Sequence, residues 1–446
     1  YLVEPSHPGI VLRRIGQTAA HFTSYSRTRI TEHHSERIKP TYPPNSANSY
    51  IAIPMVEYST SRQSAEHICQ ILRSNLADVR EIRWHTRSAR SGHTRVNHHI
   101  PDGMILAEGV FSECLKLETV VIGNDVTLEK YAFNMDKDHA FIVKNYDEGD
   151  EKYFYYEFAS ALSSLTIGDN AVIGENAFAG CTALADLQIP TSVRSIGGDA
   201  FRATPWYEQQ PLGVVYINSI LYGYKGDMPV GTVIQIKSGT STINPAAFRH
   251  YTTLSGVVIP YSVHTIGASA FEGCVALDSI DLPSSVRVIG NQAFASCDSL
   301  SVVSLSDALV SVGEAAFERT PWYDSLPAGE IYMGKVMYKY KGVMPRVTTI
   351  TLRDNTVCIA PYAFRNCSTL KAIIIPESVT TIGRGAFENC KGLSAITLPR
   401  GITNLDSRAF QGCSGIKSLV WDIPTFSEKF PLASLRAQLS SLELGA

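Results

Sequence analysis

Four groups of residues in this sequence carry side chains suited to chemistry. The stretch GEIYMGKV, Gly329 to Val336, nearly spells a phosphate-binding loop, in which a glycine-rich turn cradles phosphates and a Lys followed by Ser or Thr serves nucleotide and magnesium. Its last position is Val336, where a hydroxyl is required, and a sister segment 116 residues upstream has Asn218 and Ser219 in place of Gly334 and Lys335. The match is therefore a product of repetition, not a nucleotide site. His33, His34, His93, His98 and His99 are imidazoles of the metal-binding kind. No carboxylate or Cys stands in register with them, so solvated loop histidines are the plainer reading, and no metal or other cofactor is assigned. Ile82 to Arg95, IRWHTRSARSGHTR, mixes Arg with Trp84, a composition that suits nucleic acid or a sulfated glycan. It suits the exposed face of a small domain better, because charge runs are usually solvated. The nine Cys show no zinc spacing. A Gly-x-Ser-x-Gly elbow and a His/Glu zinc-protease motif are both missing from the sequence.

The bulk composition narrows the classes further. The 446 residues are 44% hydrophobic and 18% charged, with a net charge of −3, which describes a globular chain rather than a disordered one or a nucleic-acid binder as a whole. No run of 18 apolar residues offers a membrane-spanning helix. Charge is unevenly spread. Residues 1–103 hold 13 Lys and Arg against 8 Asp and Glu, and nine of the twelve His, whereas the remainder is acidic. The break near Gly103 predicts a domain boundary there.

Downstream of that break the sequence repeats itself. An Ala-Phe or similar pair ends at Phe111, Phe133, Phe178, Phe201, Phe248, Phe271, Phe294, Phe317, Phe364, Phe387 and Phe410. Most steps are 23 residues, and the steps from Phe201 to Phe248 and from Phe317 to Phe364 are both 47. The copy AFEGCVALDSIDLPSSVRVIGNQAF, Ala270 to Phe294, shows the whole unit. Leu277, Ile280 and Leu282 predict a short strand with one buried face, and Pro283 ends it. Val286 and Ile289 predict a second extended piece, Gly290 a permissive turn, and QAFASC about one turn of helix with Ala293, Phe294 and Cys297 inward. One unit alone cannot bury this face; stacked units can, as in a solenoid. Cys114, Cys181, Cys274, Cys297, Cys367, Cys390 and Cys413 share one repeat position and predict a buried column of small apolar thiols.

These spacings and identities resemble the leucine-rich repeat superfamily, specifically its 23-residue BspA-like subtype, over about residues 105–420. The resemblance implies an α/β solenoid of short parallel strands and short helical turns. It further implies a non-enzymatic surface or secreted protein that mediates adhesion or protein recognition, with a host matrix or cell-surface protein as ligand. The sequence departs from the common leucine-rich pattern in placing Cys before the strand, on the helical turn.

The remaining features sit around this repeat. Two inserts match at an offset of 116: TPWYEQQPLGVVYINSILYGYKGDMP from Thr204 and TPWYDSLPAGEIYMGKVMYKYKGVMP from Thr320. Each predicts a β-hairpin projecting from the solenoid. Trp206, Tyr207, Trp322 and Tyr323 are either a contact surface or the packing of the hairpin onto the solenoid, and the recurrence of PWY favours packing. A third, acidic insert near 134–160 includes Tyr153 and Tyr155 in a cluster the repeat does not explain. On the repeat strands, the outward row that includes Gln188 and Asp281 is small and mostly uncharged, and is the other candidate contact surface. The expected organisation is residues 1–103 as an arm plus a small α/β unit capping the first coil, with 1–48 as loop or extended arm, strands in SYIAIPMVEY and REIRWHT, and a helix from Ser61 to Val79. Residues 104–420 form the solenoid with inserts near 134–160, 202–229 and 318–345, and 421–446 form a cap with a helix after Pro431. The alternative to a recognition protein is a structural subunit that uses the solenoid and arm as interfaces.

Overall fold

The computed structural model describes residues 9–14, 50–54, 79–85, 96–111, 117–134, 144–147, 150–153, 161–423 and 440–444. The chain divides into two compact units, Tyr1–Gln210 and Pro211–Ala446.

Each unit is a solenoid whose coils carry two parallel ladders. In the coil that starts at Phe271, Ser279–Asp281 belongs to the first ladder and pairs in register with Val302–Ser304 of the next coil. Val288–Ile289 belongs to the second ladder, between Thr265–Ile266 and Ser311–Val312. Leu277, Ile280, Leu282, Val286 and Ile289 are all buried, as period-2 alternation requires of strands with one face inward.

The third side of the coil differs from the sequence expectation. The AF segment is a chain of hydrogen-bonded turns and not a turn of α-helix. The residues two before and two after the Phe are left-handed: Ser269 and Gly273 around Phe271, Gln292 and Ser296 around Phe294, Tyr362 and Asn366 around Phe364. Alternating handedness aims alternate amides along the stack. Ser269, Phe271 and Gly273 donate to Asn291 O, Ala293 O and Ala295 O of the next coil at 2.8, 2.8 and 2.9 Å. An α-helix would turn those amides back on their own coil. Gly290 also serves a purpose other than the expected turn. Its φ is not left-handed; a Cβ there would run into the backbone of Gly267 and Ala268, so the glycine permits close approach of successive coils.

The phenyl rings form parallel stacks. Centroids of Phe271, Phe294 and Phe317 follow at 5.1 and 5.1 Å with interplanar angles of 7° and 10°, and Phe364, Phe387 and Phe410 at 5.4 and 5.2 Å with 2°. The Cys one turn on closes the layer. Cys297 Sγ donates to Phe271 O at 3.1 Å, Cys274 to Phe248 O at 3.0 Å, Cys390 to Phe364 O at 3.0 Å and Cys413 to Phe387 O at 2.8 Å. A small buried side chain with one weak donor fits there. All seven described cysteines are buried, and none of them forms a disulfide; Cys114 lies outside the described residues.

The two long steps are each an additional coil. Gly213–Ile217 and Ile220–Lys225 form an antiparallel hairpin, as do Gly329–Met333 and Val336–Lys341. The hairpins do not simply project. Ile220 pairs in parallel with Thr242, and Val336 with Cys358, so the second hairpin strand is built into the second ladder. Tyr340 N donates to Ala363 O at 2.8 Å, the bond a repeat Phe makes to the following coil. The 47-residue step is thus two coils, the second starting at Tyr340 and continuing through Thr348–Thr351, which pairs with Leu370–Ile374.

The ends also differ from expectation. Gly9–Arg14, placed by sequence in a loop or arm, is a strand between Tyr50–Pro54 and Val79–His85, antiparallel to both. Val79–His85 then pairs in parallel with Ile105–Leu106, extending the second ladder of its unit. Val96–Ile100 pairs with Leu117–Ile122 in the first ladder, upstream of Gly103. The helix expected from Ser61 lies outside the described residues up to residue 78. At the other end, the sequence pattern predicts Ser441–Leu444 within a helix. It is a strand in register with Ser418–Trp421, because its alternating Leu442 and Leu444 fall 23 residues after Leu419 and Trp421. The preceding part of that helix lies outside the described residues. The acidic insert carries a two-stranded hairpin, Lys144–Asp147 with Asp150–Tyr153.

Removing one ring from a stack should cost both its burial and its two ring contacts. Phe294→Ala is expected to destabilise the protein by about 3–5 kcal/mol, read as a fall in the urea midpoint; a loss below about 1 kcal/mol would show that the stack is not what holds the coils together.

Candidate recognition surface

Outward positions of the first ladder are built by strand alternation alone. Thr166, Gln188, Val258, Asp281, Ser304, Ile374 and Thr397 are exposed, as are Ser164, Asp186, Ser279, Val302 and Ala395 on the adjacent row. Gln188 sits at a single bridge to Thr166, where the ladder narrows to one pair. Asp281 pairs with Ser304 across the ladder. These rows are small, β-branched or hydroxylated, with Asp186 and Asp281 as their charges. No general acid faces a general base along them, and no nucleophile has a base beside it.

The PWY aromatics are positioned differently. A four-residue helix, α1 (Pro205–Glu208), is capped by Thr204, whose hydroxyl accepts from Tyr207 N at 3.2 Å. Its counterpart α2 (Pro321–Ser325) is capped by Thr320 in the same way. This turns Trp206 edge-on to Phe201 at 5.4 Å and Trp322 edge-on to Phe317 at 4.9 Å. Each Trp therefore terminates a phenyl stack where a further parallel Phe is missing. Tyr323 is buried, with the Lys341 ammonium 5.2 Å from its ring centroid. Burial pushes its hydroxyl up to about 12 and raises that of Tyr207 as well. Trp206, Tyr207 and Trp322 are partly exposed. Tyr153 stands opposite Lys144 in the acidic hairpin, and Tyr155 lies outside the described residues.

Two further tyrosines escaped the sequence reading. Tyr216 Oη accepts from Lys237 N at 3.0 Å, and Tyr332 Oη from Arg353 N at 3.2 Å. The Arg353 guanidinium lies 3.9 Å over the Tyr332 ring, a cation–π arrangement. Each hairpin is thereby locked to the coil that follows it. The signal was present in the 116-residue offset, which aligns Tyr216 with Tyr332. GEIYMGKV is the hairpin itself, with Met333 paired to Val336, so the strand–loop–helix context of a phosphate loop is absent there.

Among the described residues, no group of three or more His, Cys, Asp and Glu comes together to hold a metal ion. His99 is exposed on the Val96–Ile100 strand; the other candidate histidines have no described side chains. Burial pushes the thiols of Cys297 and Cys358 up to about 12 and that of Cys367 to about 11 and raises that of Cys274, while Cys390 is raised first by its hydrogen bond with Cys413 and then by burial. Thiolate is the reactive form, so these sulfurs are held inert. Because the folded value lies above the ordinary value of 9.0, the thiols favour the fold below that value and withdraw support as pH rises towards 12. Cys274, Cys297 and Cys390 should stay unlabelled by iodoacetamide at pH 8 in the native chain and be labelled in urea, as mapped by peptide mass spectrometry. Native labelling at a rate matching urea would contradict the buried column.

The chain matches the model of the BspA-type leucine-rich repeat region in six copies, over residues 104–210, 230–327 and 337–429. No curated protein matches it. Similar solved structures include a leucine-rich repeat protein from Bacteroides ovatus, 20% identical over 82% of this chain and 85% of that one, with a TM-score of 0.27. A leucine-rich cell surface protein from Faecalibacterium prausnitzii is 19% identical over 82% and 90%, with a TM-score of 0.29. A leucine-rich repeat protein of T. pallidum is 28% identical over 43% and 86%, with a TM-score of 0.21. Among the described residues no helix is long and apolar enough to cross a membrane. The repeat match spans more than half of the 446 residues and follows the coils of both units, and on it this chain belongs to the BspA-type leucine-rich repeat family.

Proposed function

We propose that this protein is a non-enzymatic recognition scaffold, displayed at the cell surface or secreted, that binds another protein through the outward face of its first ladder. The observation that carries this reading is the composition of that face. In the Tyr1–Gln210 unit its exposed Ser164 and Thr166 side chains cost little entropy to fix, and with Gln188 they form a strip with few charges to desolvate. In the Tyr1–Gln210 unit, Gln188 is the polar marker that fixes the register of a bound partner. Trp206 and Tyr207, partly exposed in the same unit, supply aromatic contact, as do Tyr153 and Tyr155 of the acidic insert; Trp322 is the counterpart of Trp206 in the Pro211–Ala446 unit. Tyr323 supports its neighbour from within. The protonated thiols and the absence of an acid–base pair on the described rows support a binding role over a catalytic one. The cell surface description of the Faecalibacterium protein supports the location.

The test is binding of the intact chain to a panel of purified extracellular matrix and cell-surface proteins by surface plasmon resonance. A bulky charge in the strip should obstruct the contact, so Thr166→Arg and Gln188→Arg are expected to weaken binding about tenfold or more. Binding that is unchanged by both substitutions, or no binding to any member of the panel, would overturn the reading.

A further inference from the structure

The first-ladder face of the Pro211–Ala446 unit is charged in a pattern that the recognition reading does not use. Seven successive coils there start at Phe271, Phe294, Phe317, Tyr340, Phe364, Phe387 and Phe410. On the rows from four to ten residues after each start, the acidic side chains are Asp278, Asp281, Asp298 and Asp324, all on the first three coils. The basic ones are Arg346, Lys371, Lys391 and Lys417, all on the last four; outside these seven coils the ladder continues through Thr232–Gln235 and Leu254–Val258 at one end and Ser441–Leu444, with the exposed Glu443, at the other. All eight are exposed. Asp278, Lys371 and Lys417 stand seven residues after the coil start, on or beside the ladder strands, Asp324 stands seven residues after its coil start on α2, and Asp298 and Lys391 share the position four residues after the start. None of the ion pairs found among the described residues joins these acids to these bases.

We propose that this face closes on the same face of a second copy of the chain, in an antiparallel dimer whose two-fold axis runs along the strand direction through Thr348–Thr351. An axis in that direction reverses the order of coils and keeps each row opposite itself. Coil one then meets coil seven, coil two meets coil six, and coil three meets coil five. Asp278 faces the partner's Lys417, Asp298 faces the partner's Lys391, and Asp324 faces the partner's Lys371. Because the interface is isologous, each pair occurs twice. Between the charges lie Val302 and Ile374, both more than half exposed, and the exposed Thr349 and Thr351 at the axis. Asp281 comes opposite the partner's Val420. Arg346, on the axial coil six residues after Tyr340, meets the partner's Arg346 and is the one like-charge approach. A foreign acidic or basic partner would match only one end of this face, whereas a reversed copy matches both. The Gln188 row belongs to the other unit and takes no part in the dimer, so this inference does not depend on the foreign partner proposed above.

The test uses the full chain in analytical ultracentrifugation at tens of micromolar protein. The wild type is expected to sediment as a dimer in low salt and to dissociate as salt rises, since charge pairs at an exposed interface are screened within about 8 Å at physiological ionic strength. An all-acidic variant (Lys371→Glu, Lys391→Glu, Lys417→Glu) and an all-basic variant (Asp278→Lys, Asp298→Lys, Asp324→Lys) should each be monomeric. Mixed one to one, they should form a heterodimer, because every reversed pair is again opposite in sign. Circular dichroism of each variant confirms that these exposed substitutions leave the fold intact. A monomeric wild type in low salt, a dimer that survives in either variant, or two folded variants that fail to associate on mixing would each overturn the proposal.

Discussion

Everything in this molecule depends on the demand that backbone groups on three sides of a coil find partners one coil away. Two sides meet it as short parallel strands. The third meets it by bending alternate residues into the left-handed region, at roughly 1–2 kcal/mol for each residue that is not glycine. Leaving a buried amide unpaired would cost about 1–3 kcal/mol, so the strain at Ser269 or Gln292 is offset by the bonds that Ser269 N and Gln292 N make to Asn291 O and Glu314 O. The residue types of the repeat follow from this close approach. Ala293 and Gly290 keep the backbones near each other, Phe294 fills the layer at the stacking distance of its neighbours, and Cys297 is small enough to sit beneath it while still offering a donor.

A stack of this kind is vulnerable wherever it is interrupted, because an unmatched ring and an open layer are left behind. The two hairpin coils answer that problem with the same parts. Trp322 turns its edge to Phe317 in place of the next parallel ring. Tyr332 reaches forward to hold Arg353 N and lies under the Arg353 side chain. The aromatic richness of these segments is largely spent on continuity of the core, which is why the pattern recurs intact at Trp206 and Tyr216.

The solenoid was legible in the sequence because the coils must be nearly identical to share one core, so periodicity reported it directly. The hairpins were legible too, but their place was not. Tyr340 does the backbone work of a repeat Phe without being one, and only its bond to Ala363 O reveals the extra coil. The turn geometry around Phe was hidden because left-handed backbone is carried by a mixture of Ser, Gln, Ala, Tyr and Asn, with glycine in only some coils, such as Gly273. The C-terminal Ser441–Leu444 strand was hidden because four alternating residues after a proline and several leucines also fit an amphipathic helix, and only the register with Ser418–Trp421 decides between them. The candidate surface was legible as a row by alternation, though its aromatic neighbours could be divided into exposed and core-packed only from ring geometry.

What distinguishes one such solenoid from another must then lie where stacking makes no demand, on the outward rows of the first ladder. The distribution of charge there is informative because the repeat does not impose it: the position held by Asp278 is Ser301 in the next coil and Lys417 at the far end. Counting the hairpin coil as a coil sharpens the pattern. With it, the seven coils have a central member, and that member presents Thr349 and Thr351 rather than an acid or a base on its outward strand positions. Opposite charges disposed on either side of a central coil that carries Arg346 alone are self-complementary under a two-fold rotation and under no simple translation. A face so arranged selects a reversed copy of itself over a copy stacked head to tail, and it does so with surface side chains alone, leaving the core of each coil untouched.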